Sequence, residues 1–234
     1  MRPFAAMLGL FLGCPSLAAA QAYQFESAKI RLGVDSMGIS LIRQGKATAI
    51  GQLWDEMRVV PGAHGPTLQR VYRTTNEVFG AHLDTTFVSL PSLAPLQRRT
   101  RSAMYSDSVV VEGMVAAGWV QPASKPRAAI ARTLPSGTID GALYDVAVRA
   151  APLALGYGLT LSGYTSAQDS VLTLSSTVDA SEVIRQRDGT ERSTWRVRMD
   201  FGGLASTMWI DQETRALVKQ IIELGPGVQI LMLR

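Results

Sequence analysis

From residue 155 to residue 234 the chain reads as strand, turn, strand, with no helix-length apolar period in between. The clearest unit runs from Ser206 to Gln220, where two alternating segments flank the polar turn Asp211-Gln212-Glu213-Thr214-Arg215. Sequential strands joined by short turns pair antiparallel. A long run of them twists into a curved sheet, and its apolar face has to be covered by something. That architecture favours a binding shell over a reaction centre.

Strands are expected near residues 156–162, 170–178, 182–187, 193–200, 205–210, 215–223 and 228–233. Asp188-Gly189 is a two-residue hairpin signal. In the strand Ser193-Thr194-Trp195-Arg196-Val197-Arg198-Met199-Asp200, Trp195, Val197 and Met199 share one face and the charged residues the other. Upstream, residues 23–122 are β-leaning throughout, with a turn or loop at Pro61-Gly62-Ala63-His64-Gly65-Pro66. One helix is expected over residues 139–150. Ser136 or Thr138 would be its N-cap, Ile139, Ala142, Leu143, Val146 and Ala150 its apolar stripe, and Pro152 its stop. The fold class that follows is mainly β: an antiparallel curved sheet or half-barrel, built as a meander, with one packed α-helix.

The N-terminus is expected to be a cleaved signal peptide, residues 1–22. Arg2 supplies the positive start, residues 4–12 the apolar run, and Ala20-Gln21-Ala22 the small-x-small cleavage site; cutting after Ala20 is the alternative. The apolar run is shorter than the ~20 residues of a spanning helix. Cys14, the only cysteine, lies inside this segment, and Gly13-Cys14 keeps lipidation there open. Cleavage at Ala22 removes the only thiol, and with it any disulfide or cysteine chemistry. The expected protein is exported, in the periplasm or beyond, with outer-membrane association left open. Residues 23–234 then form one β-rich domain, or an N-terminal β lobe 23–122 and a helix-plus-meander lobe 128–234.

With 23 Lys and Arg against 19 Asp and Glu, the chain carries a formal charge of +4. The densest cluster, Arg98-Arg99-Thr100-Arg101, reads as a solvated edge, with contact to anionic lipid headgroups as the weaker alternative. Basic and aromatic residues do not interleave along a helix, so nucleic acid is not an expected partner.

No catalytic motif stands out. Gly-x-Ser-x-Gly is absent, and Gly156-Tyr157-Gly158 follows the helix where a phosphate loop would precede one. His64 and His82, the only histidines, read as surface residues; Asp84 and Glu77 near His82 lack metal-ligand spacing. No catalytic residue, metal or cofactor is therefore assigned. Trp54, Trp119, Trp195 and Trp209 read as core or cavity wall, and the assigned ligand-binding set is Trp195, Val197, Met199 and Trp209.

Three segments carry a resemblance. The helix Asp140–Arg149 with its Ala151-Pro152-Leu153 exit, the strand Val178-Asp179-Ala180-Ser181-Glu182-Val183, and the turn Trp209-Ile210-Asp211-Gln212-Glu213-Thr214-Arg215 resemble a family of bacterial envelope proteins of unknown function. Where that family has its middle glycine, this chain has Ala180. The end pattern is also similar to outer-membrane lipoprotein-sorting (LolA-like) proteins, open half-barrels of antiparallel strands holding a helical lid. The resemblance spans residues 128–234. It implies a non-enzymatic envelope protein that binds a lipid or lipoprotein acyl chain in a half-barrel cavity. An envelope scaffold or assembly partner is the first alternative, and an uncharacterised hydrolase the second.

Overall fold

The computed structural model describes residues 25–63, 65–90 and 92–234. The expected signal peptide, Cys14 and His64 lie outside them. Fifteen strands form one sheet. In chain order they are β1 (Gly33–Arg43), β2 (Lys46–Gly62), β3 (Gly65–Asn76), β4 (His82–Ser89), β5 (Pro95–Ser102), β6 (Tyr105–Glu112), β7 (Val115–Pro122), β8 (Ala128–Thr133), β9 (Ile139–Asp140), β10 (Gly158–Thr165), β11 (Ser170–Arg185), β12 (Glu191–Phe201), β13 (Leu204–Asp211), β14 (Leu217–Gly225) and β15 (Val228–Leu233).

The spatial order is β8-β7-β6-β5-β4-β3-β2-β1-β15-β14-β13-β12-β11-β10-β9. Two meanders are thus joined where the first strand pairs with the last, Gly38 opposite Leu233 and Arg43 opposite Val228. Every pairing is antiparallel except the two-residue contact of β9 with β10. The open edges belong to β8 and β9, and side chains draw them together. Arg132 of β8 pairs with Asp169 at 2.8 Å, and Ser166 donates to Asp107 of β6 at 2.6 Å. A small apolar cluster of Val109, Val111, Ala116, Val120, Ile130, Leu134 and Tyr164 fills the seam between them.

The sheet runs through the segment 121–126 without a break. β7 reaches Pro122, and β8 pairs back onto it from Ala128. The Pro/Gly segment at 61–66 is likewise mostly strand, with Gly62 directly opposite Gly65. At Asp188-Gly189 the expected hairpin forms: Gly189 takes φ +87° and the Asp188 carboxylate accepts from Thr190 N at 2.9 Å.

The expected helix over 139–150 is shorter. Ile139 and Asp140 are strand, Gly141–Leu143 is a 3-10 turn, and only Tyr144–Arg149 is α-helix, here α1. The cause is local. Thr138 Oγ donates back to Pro135 O at 2.7 Å instead of capping, while Asp140 accepts from Ala142 N and starts the 3-10 turn. Tyr144, Val146, Ala147, Val148 and Arg149 are all buried, so this short helix has no solvated face. It sits against the inner face of the sheet, within the main core of Leu53, Met57, Leu68, Val88, Leu174, Val197, Met208 and Ile210.

Candidate functional site

Cross-strand register explains what the helix packs against. Residues directly opposite one another share a face. One inward row runs Asp35, Asp55, Tyr72, Asp84, Thr100, Asp107 across β1 to β6. The neighbouring row is Met57, Arg70, Thr86, Arg98, Val109 across β2 to β6. A row of acids therefore lies beside a row carrying two arginines, both on the buried side of the sheet. The α1 segment adds Asp140, Asp145 and Arg149.

These groups neutralise one another. Arg70 donates to both oxygens of Asp55 (2.7 and 2.8 Å), to both oxygens of Asp145 (2.7 and 3.1 Å) and to Ala142 O (2.8 Å). Arg149 donates to Asp145 at 3.1 Å and lies 3.9 Å from Asp55. Arg98 pairs with Asp84 and, at 3.1 Å, with Asp140, and Thr86 donates to Asp84 at 2.6 Å. Burial pushes the Asp145 carboxyl up, but Arg70 and Arg149 outweigh it and hold the group below the usual carboxylate range. At Asp140 burial wins over Arg98, and the carboxyl is raised. Burial would also lower Arg70, yet Asp145 and Asp55 raise it well above its ordinary value.

Beside this ionic layer lies a cavity of about 250 Å3. Its charged side is Asp35, Asp55, Arg70, Asp84, Arg98, Asp145, Arg149 and Arg234; its apolar wall is Met37, Leu53, Met199, Phe201, Leu217, Ile222 and Met232. Half-buried lining residues lie toward both ends of the sheet: His82 and Phe201 near the β3–β4 and β12–β13 turns, and Asp35 and Arg234 near the start of β1 and the end of β15. Hairpin turns of a meander alternate between the two ends of a sheet, and the β3–β4 and β12–β13 turns share one end. His82 makes edge contacts with Tyr72 (6.1 Å) and Tyr105 (6.4 Å). Burial lowers its pKa; Asp84 opposes the shift and Arg98 adds to it. Buried Arg149 Nε lacks a hydrogen-bond partner, and burial raises the Tyr144 hydroxyl pKa to about 12 against an opposing hydrogen bond with Ser176.

Of the four residues assigned from sequence, Met199 lines the cavity. Val197 is fully buried in the core beside it, and half-buried Trp195 packs against that core. Trp209 lies on the opposite face, paired in register with Arg196 and Lys219. Its indole donates to Glu182 at 2.6 Å, and the Lys219 ammonium sits 4.2 Å from its ring centroid. Glu182 and Asp179, the residue at the β11 bulge, clamp Arg196 (2.5 and 2.7 Å), so two of the segments that carry the resemblance meet on the outer face. Trp54 and Trp119 also face outward, under Arg73 (4.7 Å) and Arg127 (3.9 Å).

Two sequence expectations need correction. His82 is a lining residue of the cavity, because the strand phase that buries Asp84 and Thr86 turns it inward too. The cluster at 98–101 is not an edge, since β5 pairs on both sides; Arg98 points in, and Arg99 and Arg101 point out. Among the described residues no group of three or more His, Cys, Asp or Glu is placed to hold a metal ion.

The sequence pattern of the DUF3108 family, described as "Protein of unknown function (DUF3108)", matches residues 60–232. The chain belongs to the DUF3108 family. The matched span takes in β3 to β15, so Arg70, Arg98, the α1 segment and most of the apolar wall of this DUF3108 chain are inside it. Among solved structures it is similar to a beta-barrel-like protein of the DUF1849 domain of unknown function from Brucella abortus, at 11% identity and a TM-score of 0.52, over 87% of this chain and 96% of that one. At that identity the likeness speaks to the fold alone, a curved β-barrel-like sheet. No curated protein matches the chain.

Proposed function

We propose that this protein is a non-enzymatic binding protein of the cell envelope, and that it holds one acyl chain or a comparable apolar group in the cavity beside α1. The observation that carries the reading is the apolar wall. Met37, Leu53, Met199, Phe201, Leu217, Ile222 and Met232 face space that α1 leaves unfilled. Burying apolar surface there contributes about 25 cal/mol per Å2. A dry apolar cavity of about 150 Å3 is enough for a benzene-sized guest. At about 250 Å3 this one has room for one chain segment and not for several. A polar end of the guest would meet Arg149 Nε, which has no partner of its own.

The charges favour binding over catalysis. Each carboxylate in the layer is engaged by an arginine or a hydroxyl, and Ser102, opposite His82 in the β4–β5 register, donates its hydroxyl to Tyr105 O at 2.8 Å. The reading follows what the resemblance of the C-terminal segment to lipoprotein-sorting half-barrels implies, and export by the N-terminal segment belongs to the same proposal.

Native mass spectrometry on the protein purified without detergent, then incubated with a single-chain fatty acid, tests it. A stoichiometric adduct is expected. Met199→Trp, which fills the cavity from its wall, abolishes the adduct while leaving the far-UV circular dichroism unchanged. An apo mass that persists at saturating fatty acid, or an adduct that survives Met199→Trp, refutes the proposal.

A further inference from the structure

The end of the sheet that carries the β3–β4 turn, beside His82, carries exposed apolar side chains. Three hairpin turns lie side by side there: β3–β4, β5–β6 and β7–β8. A Cβ on Gly80 would come within 3.0 Å of Ala103 Cβ, and Ala123 N donates to Met104 O at 2.8 Å. At their tips Val78, Phe79 and Met104 are 45%, 41% and 66% exposed. The backbone under them is already satisfied. Asn76 Oδ accepts from Val78 N (3.1 Å) and Phe79 N (2.5 Å), and Ser102 Oγ from Met104 N (3.2 Å) and Tyr105 N (3.0 Å). The turns are fixed, and their apolar side chains stay largely open to solvent.

Cations collar this tip. Arg99 and Arg101 on β5, Lys125 in the β7–β8 turn and Arg127 before β8 are all exposed. Among the described residues none of the four is in an ion pair with an acid, and Arg127 stacks on Trp119. On the other half of the sheet, by contrast, Asp179 and Glu182 clamp Arg196 and Arg198. Around the collar Ser106, Ser108 and Gln121 join Arg99, Arg101 and Arg127 in lining a shallow recess rich in hydrogen-bond donors.

We infer that this end of the protein docks on a lipid surface bearing anionic headgroups, with Phe79, Val78 and Met104 entering the interface and the cationic collar meeting the headgroup phosphates. Protruding, separate apolar tips suit a fluid surface better than a shaped protein groove. Unpaired cations beside them supply the attraction that short apolar tips alone lack. The contact is peripheral: among the described residues no helix is long and apolar enough to span a membrane, and exposed Arg58 on β2 and Arg198 on β12 do not belong to a lipid-facing band. Docked this way, the His82 end of the cavity lies toward the lipid. The inference stands apart from the identity of the cavity's guest.

Co-sedimentation with vesicles of phosphatidylcholine alone, and of phosphatidylcholine mixed with phosphatidylglycerol, tests it. The protein is expected to pellet with the mixed vesicles only, and less at high salt. Arg101→Gln and Lys125→Gln each weaken binding by about fivefold. Phe79→Ser with Met104→Ser weakens it further with the salt dependence retained. Arg185→Gln, an exposed cation at the β11–β12 end, changes nothing. All are surface changes, and an unaltered thermal midpoint confirms the fold. Failure to pellet with the mixed vesicles overturns the inference, as does equal binding to phosphatidylcholine alone or binding indifferent to the tip and collar substitutions. Metastasis of the effect to the cavity is excluded by Met199→Trp, which is expected to pellet as the parent protein does.

Discussion

Arg70 is the most connected side chain in the ionic layer, and Arg70→Met is the sharpest test of whether that layer holds the helix in place. The substitution deletes two bonds to Asp55, two to Asp145 and one to Ala142 O. It leaves two buried carboxylates facing Arg149 alone, at 3.1 Å from Asp145 and 3.9 Å from Asp55. Removing one partner of a buried pair costs about 3–5 kcal/mol, chiefly because a charge stays behind without compensation. Losing one of two cations that serve two acids falls in that range. For a domain of this size each kcal/mol moves the midpoint by about 2–4 °C, so a drop of roughly 6–20 °C is expected. The double variant Arg70→Met/Asp145→Leu restores the balance, one acid with one base, and should be more stable than the sum of its single changes by more than about 1 kcal/mol. The pH dependence has a defined sign. Asp145 is held below its unfolded pKa, so its contribution is complete above that value and is lost as pH falls through the lower folded one. In Arg70→Met that contribution is largely gone already, and the gap from the parent protein narrows as pH falls through the carboxylate range. Urea titrations followed by tryptophan fluorescence at neutral and acidic pH read all of this. A cost under about 1 kcal/mol for Arg70→Met, or additivity within about 0.5 kcal/mol in the double variant, would falsify the claim that these charges position α1.

Two further predictions rest on other parts of the site. His82 is held below its ordinary pKa by burial, so as pH falls below about 6.5 the unfolded chain takes up the proton first and stability declines until the folded value is passed. His82→Gln removes that part of the decline, and superimposable stability curves for the two proteins between about pH 7 and pH 5 would contradict it. Asp211 Oδ accepts from Glu213 N (3.0 Å) and Thr214 N (2.7 Å), fixing the β13–β14 turn in which Arg215 takes φ +57°. Asp211→Ala should cost about 1–2 kcal/mol in urea unfolding with the native fold intact, and a neutral substitution would show that the turn is set elsewhere.

The parts of the fold written in local patterns were legible in the sequence. Asp188-Gly189 forms its hairpin, Asp211 its turn, and the alternation of Trp195, Val197 and Met199 with Arg196, Arg198 and Asp200 sorts inner from outer face. The helix was placed but drawn too long, because the apolar spacing of residues 139–150 continues through two residues that pair as strand with Gly163 and Tyr164. Trp209 shows the limit of reading faces strand by strand. Its neighbours Met208 and Ile210 are the inward pair, and only the register with Arg196 and Lys219 turns the indole outward. The ionic layer was passed over, although its signal is present. Asp55 falls in phase between Leu53 and Met57, and Arg70 between Leu68 and Tyr72, each a charge where an inward apolar residue belongs. Such a charge needs a buried partner; Asp55 and Arg70 partner each other across adjacent strands, and the rest of the network lies far off along the chain, at Asp145 and Arg149.

The same layer accounts for the cavity. An apolar helix of six residues dropped into a curved apolar sheet would slide until it filled the available space, since hydrophobic contact has no preferred register. Here Asp145 and Arg149 are tied to Arg70 and Asp55, and Asp140 to Arg98, by bonds whose geometry permits one position. The helix is therefore held toward β2, β3 and β5 and cannot move across to Met199, Leu217, Ile222 and Met232 on the other side of the lining. Collapse onto that wall would strand buried charges, at a cost of several kcal/mol, to recover the burial of a few methyl and methylene groups at about 0.8 kcal/mol each. The charges keep the pocket open, and the guest proposed above would recover the burial that the helix cannot.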